Sequence, residues 1–111
     1  MAETFNNSST KLSSTSDTTV YQAPFAAGDS VVVLSCLVAN VDGSSPATIS
    51  VWISNSSNVE QSYLAKTIAV PADASIELIP NKVVLTENQR LRAKAGTAND
   101  LHVTVSVLEI T

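Results

Sequence analysis

The 111-residue chain has few side chains that could do chemistry, and their spacing argues against catalysis. His102 is the sole histidine, and the sequence marks out no serine or cysteine to work with it. Cys36 is the sole cysteine, which excludes an intrachain disulfide and a cysteine-based zinc site. Its apolar setting, between Leu34 and Val38, makes a buried, inert thiol the expected state. Gly28, Gly43 and Gly96 stand far apart, each within a turn signal, so no glycine-rich phosphate loop is present. The ten acidic residues are scattered and lack the spacing of a calcium loop. The expectation is a non-enzymatic chain with no cofactor and no metal.

Contact chemistry is better represented. Trp52 lies between Ser50 and Ser54 on an alternating segment, which points its large ring away from the core. A ring in that position can anchor a protein interface, stack on a sugar, or be covered by a local loop or arm. Sugar-binding faces usually present several aromatics in a platform. This chain has only Phe5, Tyr21, Phe25, Trp52 and Tyr63. Arg90, Arg92 and Lys94 recur with a period of two and share one strand face, either simply solvated or a dock for an acidic neighbour. Phe5 and Leu12 are isolated apolar residues in a polar N-terminal stretch, where they would serve as points of attachment.

The elements that must position these residues read as strands. Hydrophobic residues make up 44% of the chain and charged residues 14%, enough for a folded core in one domain. Turn signals recur every eight to twelve residues from Asp17 onward, the all-β spacing. They include Ala23-Pro24, Gly28-Asp29, Asp42-Gly43, Asn55-Ser56, Pro71-Ala72-Asp73, Pro80-Asn81 and Glu87-Asn88. Strands are expected at about Thr18–Gln22, Ser30–Asn40, Ala47–Ser54, Gln61–Val70, Ala74–Leu78, Lys82–Leu85, Arg90–Ala95 and Leu101–Ile110. The fold class is a single-domain antiparallel β-sandwich, jelly-roll or immunoglobulin-like, over residues 17–111. Residues 1–16 are either a flexible tail or an extended arm laid across this subunit or the next.

Ser30–Asn40 breaks the half-apolar rule. Strict alternation puts Val31, Val33, Ser35, Leu37 and Ala39 on one face, and Val32, Leu34, Cys36 and Val38 on the other. Both faces are mostly apolar, yet a sandwich buries only one face of each sheet in its core. The second face needs a cover: the arm, a long loop or a neighbouring subunit. Together with the low charge, this predicts self-association. A net charge of −4 repels phosphate backbones and anionic lipid, so neither nucleic acid nor a membrane is the expected partner. The polar N-terminus lacks an apolar signal region, and no run approaches a membrane span, so cytoplasmic assembly is expected.

A resemblance adds to this reading. Thr18-Thr19-Val20-Tyr21-Gln22-Ala23-Pro24 leads into the Val-rich strand ending in Ala39-Asn40-Val41-Asp42-Gly43. The second half runs through Ile79-Pro80-Asn81-Lys82-Val83-Val84-Leu85 and Leu91-Arg92-Ala93-Lys94-Ala95 to Val105-Ser106-Val107-Leu108-Glu109-Ile110-Thr111. This order resembles small virion structural proteins of tailed phages, marine and cyanobacterial ones especially, over nearly the whole chain. Thr86-Glu87-Asn88-Gln89 departs from the Gly-Asp turn that the group tends to show. The resemblance implies a structural role in a virion assembled in the host cytoplasm. Its forms are a capsid decoration (cement) protein, a neck or tail component, or a fibre base. Its partners would be copies of itself, a trimer among the arrangements, and other virion proteins such as the major capsid protein. Expected contact residues are Phe5, Leu12, Trp52, Arg90 and Arg92, with a carbohydrate- or receptor-binding module as the alternative function.

Overall fold

A computed structural model describes residues 2–23, 28–79 and 81–111; Pro24, Phe25 and Pro80 lie outside the described residues. Nine strands are described: β1 (Glu3–Leu12), β2 (Thr18–Gln22), β3 (Ser30–Asn40), β4 (Ala47–Ser54), β5 (Glu60–Val70), β6 (Ser75–Glu77), β7 (Val83–Thr86), β8 (Arg90–Ala95) and β9 (Leu101–Ile110). They form two antiparallel sheets packed into a β-sandwich, as the sequence predicts. The first sheet runs β1-β9-β3-β6, with β7 also paired to β3, and the second runs β2-β8-β4-β5.

The pairing narrows the architecture further. β6 pairs with Leu37–Ala39 and β7 with Ser30–Val33, so the two act as one interrupted strand along β3. With that strand counted once, β4 pairs β5, β3 pairs the interrupted strand, β2 pairs β8 and β1 pairs β9. A long antiparallel hairpin rolled up in this way is a jelly roll of two four-stranded sheets. β1 is one of its eight strands. Residues 3–12 of the expected arm are extended, but they run beside β9 through a register without a shift rather than across a face. The sandwich therefore begins at residue 3 and not at residue 17.

Alternation decides which side chains fill the core. Val103, Val105 and Val107 of β9 point inward with Val31, Val33, Cys36 and Val38 of β3, all essentially inaccessible to solvent. Ile49, Val51, Leu91, Ala93 and Ala95 meet them from the second sheet. Burial of each Val, Leu or Ile side chain among them contributes roughly 1.5–3 kcal/mol before chain entropy is counted. Strict alternation along β3 fails at one point. The register shifts between Val33 and Ser35, so Leu34 and Ser35 together oppose Ser106. This bulge resets the parity: Val31 and Val33 share the core face with Cys36 and Val38, while Val32, Leu37 and Ala39 face out. The face assignment expected for residues 35–39 is inverted for that reason.

Turns use residues that tolerate a left-handed backbone. Asn58, Asp73, Asn88 and Asn99 all have positive φ. At Thr86–Gln89, Asn88 (φ 63°) supplies the conformation that glycine would otherwise provide, and Gln89 N–H donates to Thr86 C=O at 3.2 Å. Thr67 (φ 53°) is the exception, a β-branched residue inside β5. It sits where β5 bulges against β4, and its N–H donates to Ser50 Oγ at 2.9 Å. Buried Asn40 fixes the far end of the sandwich: its side-chain amide donates to Ser45 C=O (3.0 Å) and Val70 C=O (2.9 Å).

Candidate interaction surfaces

The outer face of the second sheet holds Trp52 and the basic residues Arg90, Arg92 and Lys94. Trp52 lies on that face, opposite Arg92 on β8 and Tyr63 on β5. It is nonetheless only 4% exposed, with Tyr63 5.6 Å away between ring centroids at a tilt of 52°. Its flanking Ser50 and Ser54 predict the correct face. They do not reveal that Trp52 is covered there, so it offers no free ring and supports Tyr63 from beneath. Tyr63 is 42% exposed, and Lys66 Nζ lies 5.2 Å from its ring centroid. These residues line a groove of about 400 Å³, with Ser50, Glu60 and Lys94 around it.

Arg90, Arg92 and Lys94 share this face, as their period requires, opposite Ser54, Trp52 and Ser50 respectively. The two arginines are half-buried and engaged within the chain. Arg90 Nη1 donates to Asn58 Oδ1 and Arg92 Nη1 to Thr19 Oγ1, both at 2.7 Å. Lys94 remains exposed. The arginines thus brace strand edges, and their charge reaches a neighbour only through the remaining edge of each guanidinium.

The outer face of the first sheet carries a different feature. Phe5 pairs with Leu108, Leu108 with Val32, and Val32 with Val84. The four side chains form one apolar row across β1, β9, β3 and β7, spanning ~14 Å at ordinary strand spacing. Phe5 is 76% exposed and Val84 56%. Leu37, further along β3, is 41% exposed. Among the described residues neither the N-terminal segment nor a loop folds over this row; β1 instead lengthens it with Phe5. Leu12, expected beside Phe5 as a contact, is 1% exposed and belongs to the core, because even-numbered residues at that end of β1 point inward. Sequence reasoning placed Phe5 and the two-sided β3 but missed Leu108 and Val84. The available signal was Leu108 itself, an apolar residue on the His102-Thr104-Ser106 parity of β9.

Glu77 and the Tyr21–Glu109 pair hold parts of the fold together. Glu77 Oε2 accepts the N–H groups of Cys36 (2.7 Å) and Ile79 (3.0 Å), filling the gap between β6 and β7. Burial, and then the nearby Glu77 charge, push the Cys36 thiol up to about 12. Tyr21 O–H donates to Glu109 Oε2 at 2.5 Å, linking the two sheets. Its phenol is raised well above its ordinary value by burial and then by this bond. His102 stands on the outer face of the first sheet, opposite Lys11. Two carboxyls do meet on exposed loops. Hydrogen bonds from the Ser44 backbone and hydroxyl hold Asp42 below its ordinary value, while desolvation and the Asp42 charge raise Asp100. Among the described residues no three or more His, Cys, Asp or Glu side chains gather as a metal site.

Comparison with known proteins places the fold. No family model and no curated protein matches this chain. Its fold is similar to a chain from the acid-stable capsid of the Helicobacter pylori bacteriophage KHP30. That chain is 14% identical, with a TM-score of 0.57 over 100% of this chain and 89% of the other. It is also similar to a chain from Bacillus endospore appendages, a family of disulfide-linked pili. Here the identity is 11% and the TM-score 0.53, over 97% of this chain and 84% of the other. At these identities the likeness is one of fold.

Proposed function

We propose that this chain is a structural protein of a phage virion, and within it a capsid decoration protein that binds and stabilises the capsid lattice. The observation that carries the reading is the uncovered apolar row Phe5-Leu108-Val32-Val84 on a jelly roll. An exposed apolar row on a monomer is expected to be covered in the working state. A chain with 14% charged residues and a Ser/Thr/Asn-rich surface tolerates the crowding of a lattice. The similarity in fold to a phage capsid chain supports the virion setting. Repeated weak contacts across a lattice add up through effective concentration. The role is non-catalytic, the partners are other virion proteins such as the major capsid protein, and assembly takes place in the host cytoplasm. A neck, tail or fibre-base position would use the same surface.

The groove on the second sheet favours a sugar less. Trp52 is covered, and Lys66 already lies against the Tyr63 ring.

The test is addition of purified protein to capsids lacking it, read by co-sedimentation and by the temperature at which the shell opens. Saturable binding with a raised opening temperature is expected. Binding to purified neck or tail assemblies, with none to capsids, would move the protein within the virion. Binding only to a glycan array would sink the proposal.

A further inference from the structure

Among the described residues four strand edges bound the two sheets, and three of them are blunted. β2 is five residues long with a shift at Val20. β6 and β7 are three and four residues long. β5 shifts register against β4 three times and holds Thr67 at φ 53°. Short, bulged edges resist further pairing. β1 has none of these devices: ten residues, no shift, no proline.

The hydrogen-bond parity of β1 is fixed. Ala2 and Thr111 exchange both backbone bonds, at 2.8 and 2.9 Å, so even-numbered residues bond to β9. The N–H and C=O groups of Glu3, Phe5, Asn7, Ser9 and Lys11 therefore point away from the sheet. Asn7 N–H is capped locally by Asn6 Oδ1 at 2.8 Å, on an exposed side chain free to rotate aside.

We propose that β1 pairs antiparallel with β1 of a second copy, on a two-fold axis through Asn7. Antiparallel pairing must match odd residues with odd residues. Only the register centred on Asn7 overlaps all of Glu3–Lys11. It sets Glu3 opposite Lys11 of the second copy, Phe5 opposite Ser9, and Asn7 opposite Asn7. Both ends of the strand thus gain an opposite-charge pair on one face. The axis is perpendicular to the sheet, so the first sheet continues across the pair and both apolar rows lie on the same outer side. The contact is isologous and closed, which stops edge-to-edge growth at two copies. This inference does not rest on the virion reading.

The test combines solution mass with charge exchange. The wild-type chain is expected to reach twice 11.6 kDa with rising concentration. Glu3→Lys and Lys11→Glu alone each place like charges at both ends, weakening association about tenfold. An equimolar mixture of the two variants should restore a 1:1 pair, because each then meets its opposite twice. Asn7→Cys should form a disulfide-linked pair on mild oxidation, since facing strand residues lie within bridging distance; Cys36 is buried and does not compete. A wild-type chain of monomer mass at every concentration overturns the proposal. So does an oligomer whose mass ignores the charge variants and gives no Asn7→Cys crosslink.

Discussion

Glu77 shows how one exposed side chain can hold a break in a sheet. β6 ends at Glu77 and β7 begins at Val83, leaving the N–H of fully buried Cys36 without a strand partner. The carboxylate accepts that N–H and the one from Ile79. Glu77→Ala strands a buried donor and should cost roughly 1–3 kcal/mol in urea unfolding, whereas Glu77→Gln keeps an acceptor and should lose less. Cys36 itself gives a pH signature. Its thiol is raised to about 12 in the fold, while in the unfolded chain it ionises near its ordinary value of about 8.5. Between these values the unfolded state has released a proton that the folded state keeps. Stability is full below about pH 8.5 and falls as pH rises, by at most about 1.4 kcal/mol per unit from this group. Tyr21, also raised, adds a second fall that starts at higher pH. Cys36→Ala should remove the first part of the decline and leave the second; an unchanged profile between pH 8.5 and 10 would contradict the assignment. Thr67 makes the opposite prediction. Its positive φ strains a β-branched residue, so Thr67→Gly should stabilise the fold by about 0.5–1 kcal/mol by thermal unfolding.

At the scale of elements, β1 separates a strand from a tail. Hydrogen exchange in the Glu3→Lys variant, held as a monomer by dilution, should show protected amides at Thr4, Asn6, Ser8 and Thr10. Phe5, Ser9 and Lys11 should exchange fast, because only the even set faces β9. Uniformly fast exchange over residues 3–12 would return this segment to a mobile tail. The strand was hard to read because the usual signal is missing. Thr4, Asn6, Ser8 and Thr10 occupy its core-side parity, and of the even residues only Leu12 reaches the interior. An edge strand beside a well-covered neighbour needs little apolar area, and Ser and Asn runs carry no alternation. The other eight strands are legible because turn residues bracket short runs of strand-forming or alternating residues; five of the eight match in extent: β2, β3, β4, β8 and β9. The bulge at Leu34-Ser35 was hidden for a different reason: with both faces apolar, alternation could not register a one-residue slip. Trp52 was placed on the right face for the right reason. It is flanked by Tyr63 from the next strand and by Arg92 from β8, and the alternation of β4 alone encodes neither neighbour.

At the scale of the whole molecule, the two sheets divide the work. The inner faces supply the core, while the outer face of the second sheet covers Trp52 and engages one Nη1 of each arginine, leaving Arg90 Nε and Arg92 Nε buried without a partner. The outer face of the first sheet keeps an apolar row that nothing in the described chain uses. A residue held for folding and one held for assembly respond differently to the same substitution, and this row permits the comparison. Val84 is 56% exposed on β7, and Leu85 beside it is fully buried. Val84→Asp should change folding stability by no more than about 0.5–1 kcal/mol, because little apolar area is lost and the charge stays in water. Leu85→Ala should cost about 2–5 kcal/mol through the cavity it leaves. Capsid binding should reverse that order at a temperature where both variants are folded. Val84→Asp loses binding, because seating the row against a partner would bury an unpaired carboxylate, and Leu85→Ala retains it. If Val84→Asp joins particles as well as the wild type, the row is an ordinary exposed face and the capsid contact lies elsewhere on the jelly roll.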